Sequence, residues 1–173
     1  MTPRLPIPAL LLALAVLLPS CASSGPGEPA PEPMAEATMV DARGNEVGTI
    51  RFLPIFDGDR LRVQGSLSVD GLDAGLHGFH VHETGVCEGP DFESAGGHFN
   101  PYDAPHGPPD APLDSRHAGD LGNVNVAGDG TVPVDRVVRV ARDGDGPSIV
   151  VGRALMLHAG EDDFVTQPDG EGG

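Results

Sequence analysis

Positive charge is scarce in this sequence, and lysine is absent. Ten basic residues, all of them arginine, stand against 26 acidic ones, which gives the 173-residue chain a formal net charge of −16. A chain this acidic repels both the phosphate backbone of nucleic acids and anionic lipid head groups. We therefore expect no nucleic-acid partner, and contact with a membrane only through a lipid anchor.

Cysteine and long apolar runs are also rare. Cys21 and Cys87 are the two cysteines, and the longest apolar run, 5–18, is too short for a comfortable membrane span but suits a secretory signal. Ser20 followed by Cys21 resembles the cleavage box of bacterial lipoproteins. We predict a signal peptide over 1–20 and lipidation of Cys21, which leaves Cys87 unpaired in this chain. The alternative is a plain secretory signal with an incidental cysteine.

Residues 22–36 are rich in Pro, Gly, Ala, Ser and Glu and have no hydrophobic periodicity. Such a composition is typical of a flexible tether. With the lipidated cysteine it forms a predicted segment over 21–36, followed by one globular domain over 37–173. The predicted location is the cell envelope, in the periplasm or another extracytoplasmic space, on a membrane-anchored lipoprotein.

Helical periodicity is missing as well. Short alternating runs, separated by Gly- and Asp-rich turns, predict seven β-strands and an antiparallel sandwich or flattened barrel. Between the fourth and fifth runs, residues 84–118 have no periodic pattern, and a stretch that long inside a compact domain is usually functional. The predicted strands are 36–42, 46–53, 60–69, 74–83, 120–126, 131–140 and 147–158.

Histidine, by contrast, is concentrated in a few places. Residues two apart on a strand point to the same face, so His80 and His82 can approach one ion. His98, from the long loop, and His158, from another strand, can supply two further nitrogens, and four imidazoles suit copper. His77 falls on the opposite face by strand parity, so we expect it to be a structural or a surface residue.

The long loop and the strand after it offer a second set of ligands. His106, His117 and Asp120 need a fourth ligand to complete a tetrahedral zinc site. His98 has two ring nitrogens and can be shared between both metals. The sequence therefore predicts two metal sites joined by one imidazole.

Four motifs together resemble the copper/zinc superoxide dismutase family, over about residues 37–163. They are Gly-Phe-His-Val-His-Glu from Gly78, Ser-Ala-Gly-Gly-His-Phe-Asn-Pro from Ser94, His-Ala-Gly-Asp-Leu-Gly-Asn from His117 and Gly-Arg-Ala-Leu-Met-Leu-His from Gly152. The resemblance implies an all-β, Greek-key antiparallel barrel or sandwich with a long metal-binding loop. It also implies that superoxide is the substrate, and leaves a homodimer open.

The same resemblance assigns roles to individual residues. It implies that Asp162 links a copper histidine to a zinc histidine, in keeping with the general use of carboxylates to orient metal-binding imidazoles. His98 would be the catalytic bridge, releasing copper and taking up a proton on reduction. The implied copper ligands are His80, His82, His98 and His158, and the implied zinc ligands are His98, His106, His117 and Asp120.

The sequence departs from the family at its C-terminal end. In relatives, a Gly-rich stretch like 169–173 leads into a final strand that carries an arginine beside the copper and a cysteine that pairs with the counterpart of Cys87. Neither is present, so we expect a domain that is incomplete at its C-terminus, with open sheet edges. The chain is then either a fragment or a shortened relative that binds metal without efficient dismutation.

The leading hypothesis is an exported superoxide dismutase that uses copper for electron transfer and zinc for structure. The first alternative is a non-catalytic envelope lipoprotein that binds or buffers copper and zinc. A structural lipoprotein on a decayed scaffold is a weaker alternative, because the full set of ligands is retained.

Overall fold

The computed structural model describes residues 31–55, 60–139 and 150–170. The predicted signal peptide and Cys21 lie outside these residues, as does most of the predicted tether. The described elements are seven β-strands and one 3-10 turn: β1 Ala35–Val40, β2 Glu46–Pro54, β3 Arg60–Ser68, β4 Gly75–His82, η1 Glu93–Ala95, β5 Asp120–Val126, β6 Thr131–Arg139 and β7 Ala154–Leu157.

The strands form two antiparallel sheets. One has the order β1-β2-β3-β6 and the other the order β5-β4-β7. The chain leaves the first sheet after β3, forms the β4–β5 pair in the second, and returns so that β6 lies beside β3. This is the Greek-key arrangement, and it confirms the predicted fold class.

Alternation along the strands builds the core between the sheets. In β3, Leu61 and Val63 are buried and alternate with exposed residues, and Val132 and Val134 do the same in β6. Full burial of such a side chain contributes about 1.5–3 kcal/mol. The alternation therefore fixes which face of each strand points inward.

The predicted and observed strands agree closely, with two differences. The strand β1 begins at Ala35, so the boundary predicted for the tether, 36, falls inside a strand. The last predicted strand, 147–158, is reduced to Ala154–Leu157, and its start lies partly outside the described residues. Within the long loop, only Glu93–Ala95 forms a regular turn.

The strand β4 is buried on both faces. Phe79 and Val81 point into the apolar core, whereas His80 and His82 are buried on the other side. The register of β4 with β5 shifts between Gly78 and His80, as at a β-bulge. A strand covered by core on one side and by the long loop on the other is a rigid support for a site.

An apolar cavity of about 840 Å³ lies between β1 and β7. Among the described strands, β1 pairs only with β2 and β7 only with β4. Phe52, Leu67 and Leu155 are among the residues that line the cavity. No further strand among residues 31–55, 60–139 and 150–170 pairs with these two edges. No helix in the described part of the chain has the length and apolar character of a membrane span.

Arg116 fastens the long loop to the sandwich. Its side chain is fully buried, and its guanidinium donates to the carbonyl oxygens of Ala111 (3.1 Å), His117 (2.8 Å) and Arg139 (2.7 Å). Burial lowers its pKa below the usual value, an effect that nearby Asp120 opposes. One side chain therefore ties two parts of the loop to the end of β6.

Replacing Arg116 should cost much stability. We expect Arg116→Met to lower the free energy of unfolding by about 3 kcal/mol or more, because buried carbonyls lose their donors. Arg62→Met removes an exposed pair with Asp135 and should cost about 1 kcal/mol or less. Urea unfolding of both variants checks this, and equal losses would contradict the anchoring role of Arg116.

Candidate metal centre

Four histidines converge on the outer face of β4. His80 and His82 come from β4 itself, His158 follows β7, and His98 forms an isolated bridge with His82. The backbone N–H of His158 donates to the Gly78 carbonyl oxygen at 2.9 Å, which places His158 beside β4. Within this copper-type group, the His82 and His158 Nε2 atoms are 3.2 Å apart and the His80 and His98 rings are 3.9 Å apart.

A second group, the zinc-type group, surrounds one carboxylate. The Nδ1 atoms of His98, His106 and His117 lie 3.0, 3.1 and 3.5 Å from Asp120 Oδ1. The other oxygen, Oδ2, accepts from the backbone N–H groups of His117 (2.9 Å) and Gly107 (3.1 Å). These bonds orient the carboxylate so that Oδ1 faces the three rings.

Unpartnered nitrogens indicate that cations belong in both groups. Four buried nitrogens make no hydrogen bond: His80 Nδ1 and His98 Nε2 in the copper-type group, and His106 Nδ1 and His117 Nδ1 in the zinc-type group. The last two lie close to Asp120 Oδ1, but not in hydrogen-bond geometry. Leaving such an atom unsatisfied costs about 1–3 kcal/mol. In each group, one ligand atom per residue lies within 4.8 Å of the others. Metal coordination is the chemistry that satisfies them, and His98 belongs to both groups.

Hydrogen bonds to the opposite ring nitrogens fix which atoms point inward. Asp162 Oδ2 contacts His80 Nε2 and its Oδ1 contacts His106 Nε2, both at 2.8 Å. His82 Nδ1 lies 2.7 Å from the Gly96 carbonyl oxygen, which turns its Nε2 towards His158. Asp162 therefore links one histidine of each group, as the family resemblance implies.

Burial favours the neutral form of three histidines in the copper-type group. It lowers the pKa of His80 to about 4, against the opposing effect of Asp162. It lowers the pKa of His158 to about 3, helped by repulsion from the neighbouring histidines. The pKa of His82 is lowered by burial as well. At neutral pH these rings carry lone pairs that are ready to bind a metal.

The zinc-type group has the opposite electrostatics. Burial works to lower the pKa of His106, but Asp120 and Asp162 outweigh it and raise that pKa to about 9. Burial likewise works to raise the pKa of Asp120, but the three histidines outweigh it and hold that pKa well below its usual value. The group thus favours a positive charge between its donors.

Two side-chain amides hold the segment 160–170 over both groups. The Asn123 amide bonds the backbone N–H and carbonyl of Asp162 at 2.9 and 2.8 Å. The Gln167 amide does the same for His106, at 2.8 and 3.0 Å. Gly170, at φ 85°, passes so close that a Cβ there would lie 2.5 Å from Asp162 Oδ1. The segment is therefore fixed against both groups at Asp162, Gln167 and Gly170.

A family model for copper/zinc superoxide dismutases matches residues 46–173. The chain belongs to this family. It is 37% identical over 176 residues to the Deinococcus radiodurans copper/zinc superoxide dismutase, covering 94% of this chain and 88% of that one. It is 40% identical over 133 residues to the Brugia pahangi extracellular copper/zinc superoxide dismutase, covering 75% of this chain and 61% of that one.

A solved structure agrees with this relationship. A SOD-like protein from Bacillus subtilis superposes with a TM-score of 0.63 at 34% identity, covering 80% of this chain and 91% of that one. Membership of the copper/zinc superoxide dismutase family makes this chain an enzyme of that type, with copper and zinc as its metals. The two donor groups fit those metals, since one consists of imidazoles and the other combines three imidazoles with a carboxylate.

Other residues singled out in the sequence have clear places. His77 is buried, and its ring nitrogens lie 2.9 and 2.8 Å from the carbonyl oxygens of His158 and Asp73, so it is structural rather than a surface residue. Cys87 is exposed and free. The contacts of Gln167 were not predicted from the sequence. Asn123 stands at the end of the motif that begins at His117, but no role was predicted for it.

Removing the Asp162 carboxylate should weaken metal binding at both groups. Asp162→Asn keeps the size but cannot accept hydrogen bonds from both His80 and His106. We expect metal affinity to fall roughly 10- to 100-fold. Chelator competition with copper and zinc measures this, with the neighbouring exposed Glu161→Gln as a charge-matched control. Unchanged affinity for both metals in Asp162→Asn would refute the bridging role.

The metal-free chain should lose stability in acid. The histidines of the unfolded chain take up protons near pH 6.5, whereas His80 and His158 resist protonation down to about 4 and 3, so the free energy of unfolding falls as the pH drops through this range. His106 acts oppositely, since its contribution is lost as the pH rises from 6.5 towards about 9. Unfolding curves between pH 4 and 9 check this. His158→Asn should flatten the acid limb, and a pH-independent acid limb in the parent chain would contradict it.

Proposed function

We propose that this chain disproportionates superoxide to dioxygen and hydrogen peroxide in the cell envelope. In this proposal copper is held by His80, His82, His98 and His158, and zinc by His98, His106, His117 and Asp120. The observation that carries it is that the two donor groups share His98. Each group also contains buried ring nitrogens that have no hydrogen-bond partner. Family membership supports the same reaction.

His98 is the residue we assign to proton handling. When bound, copper supplies the alternating one-electron oxidation and reduction that the two superoxide ions require. His98 Nδ1 lies 3.0 Å from Asp120 Oδ1, whereas its Nε2 is buried without a partner. The chain can therefore hold a proton at Nε2 and return it to the departing peroxide.

The remaining residues of the centre keep the donors in place. Asp162 fixes the ring orientation of His80 and His106, and Asn123 and Gln167 fix the backbone that carries Asp162 and His106. Such preorganisation means that little of the site must rearrange during a turnover. The zinc-type group then has a structural role, since it gathers the long loop around Asp120.

The decisive experiment is turnover by the full chain after loading with both metals. The expected result is one copper and one zinc per chain, and rapid removal of superoxide generated by pulse radiolysis. His158→Asn should lower the rate by more than about 100-fold while zinc binding persists. Asp70→Asn, a remote exposed substitution, should leave the rate unchanged.

Metal buffering without catalysis is the second candidate, and the arginines favour it. Arg116 is buried in carbonyl contacts, and Arg153 donates to the Glu83 carbonyl at 2.8 Å while its guanidinium lies 3.4 Å from the centre of the Phe99 ring. Both guanidinium groups are engaged in contacts within the protein, which limits their attraction for an anion approaching this strongly acidic chain. Stoichiometric metal without turnover would support buffering, and failure to bind either metal would refute both candidates.

We also propose that the mature chain is attached to a membrane through lipidated Cys21. One relative is named an extracellular enzyme, which supports an extracytoplasmic location. Cys21→Ser should move the protein from the membrane fraction to the soluble fraction and abolish incorporation of labelled fatty acid. Cys87→Ser is the matched control and should change neither. Identical fractionation of the two variants would refute the anchor.

A further inference from the structure

Asp169 is a carboxylate that the proposed metal sites do not use. Its Oδ1 lies 4.0 Å from His117 Nδ1, which is one of the buried nitrogens without a hydrogen-bond partner. Two ligand atoms on one tetrahedral zinc ion lie roughly 3.3–3.5 Å apart. Asp169 therefore stands just outside the distance at which it would share a metal ion with His117.

Exposure distinguishes Asp169 from the four donors of the zinc-type group. The side chains of His98, His106 and Asp120 are fully buried and that of His117 is 5% exposed, whereas that of Asp169 is 34% exposed. A buried metal site needs a path by which the ion enters. The donor that retains some exposure is His117, and it is the donor that lies next to Asp169.

Hydrogen bonds fix the chain on both sides of Asp169, at a residue before it and at the residue after it. Gln167, two residues earlier, is bonded to the backbone of His106, and the Gly170 N–H donates to the Thr166 carbonyl at 2.8 Å. Gly97 lies next to the carboxylate, since a Cβ at that position would stand at ordinary contact distance, 4.0 Å, from Asp169 Oδ2. The negative charge also reaches the copper-type group, where it acts to raise the pKa of His82.

We propose that Asp169 is an uptake residue for divalent cations: it captures the partly hydrated ion at the surface and passes it to His117 Nδ1. The four donors of the zinc-type group already complete a tetrahedral site, so Asp169 serves during loading and is released once the ion is seated. This inference rests on the proposed assignment of that group to zinc. No bond is made or broken other than exchange of metal-bound water for protein ligands.

Rapid mixing of the metal-free full chain with limiting Co²⁺ tests this, because tetrahedral Co²⁺ complexes absorb visible light. We expect Asp169→Asn to lower the association rate constant by roughly tenfold, and the dissociation rate constant by a similar factor, so that the affinity changes little. Asp169→Glu, which keeps the charge, should load at nearly the parental rate. Asp70→Asn removes an equal charge at a remote exposed position and should also load normally.

Two results would overturn the proposal. One is an association rate constant for Asp169→Asn equal to that of Asp70→Asn. The other is an unchanged association rate with faster dissociation, which would make Asp169 a resident ligand instead. Because the readout is uptake of metal, a chain that loads as expected but does not remove superoxide would refute the proposed reaction and leave the role of Asp169 standing.

Discussion

The double contact of Asp162 is the interaction on which the rest of the centre depends. Its two carboxylate oxygens lie 2.8 Å from His80 Nε2 and from His106 Nε2, so a single side chain sets the ring orientation of one histidine in each group. Both contacts are fully buried, where solvent does not weaken them. Each ring then presents Nδ1 to its own group.

The sandwich supplies rigid supports, and the loops supply most of the zinc-type group. The strand β4 provides His80 and His82, and β5 begins at Asp120, which pairs with His80 in register. His98, His106 and His117 lie in irregular structure that must be held by specific contacts. Arg116 holds the loop through hydrogen bonds to carbonyl oxygens, and the segment 160–170 holds it through the contacts of Asp162 and Gln167 with His106. The long loop is therefore ordered without regular secondary structure of its own.

Much of this could be predicted from the sequence, for physical reasons that differ between its parts. Alternating apolar residues specify strands because one face of each must be buried, so the predicted bounds of β3 and β6 differ from the observed ones by one residue each. His80 and His82 follow from the two-residue repeat of a strand. The contacts of Gln167 could not be predicted in this way, because a polar side chain in a Gly-rich segment has no periodicity that reveals its partner. The same holds for Asp169, whose significance depends on its distance from His117 rather than on its neighbours in the chain.

We propose that His98 joins the two groups into one binuclear centre. Magnetic measurement on the chain with Cu²⁺ in both groups tests this most directly, because an imidazole that bonds both ions transmits exchange coupling between their unpaired electrons. We expect a coupled pair whose paramagnetism falls on cooling, and loss of that coupling in His98→Gln. Two independent Cu²⁺ signals with full paramagnetism in the unmodified chain would contradict it.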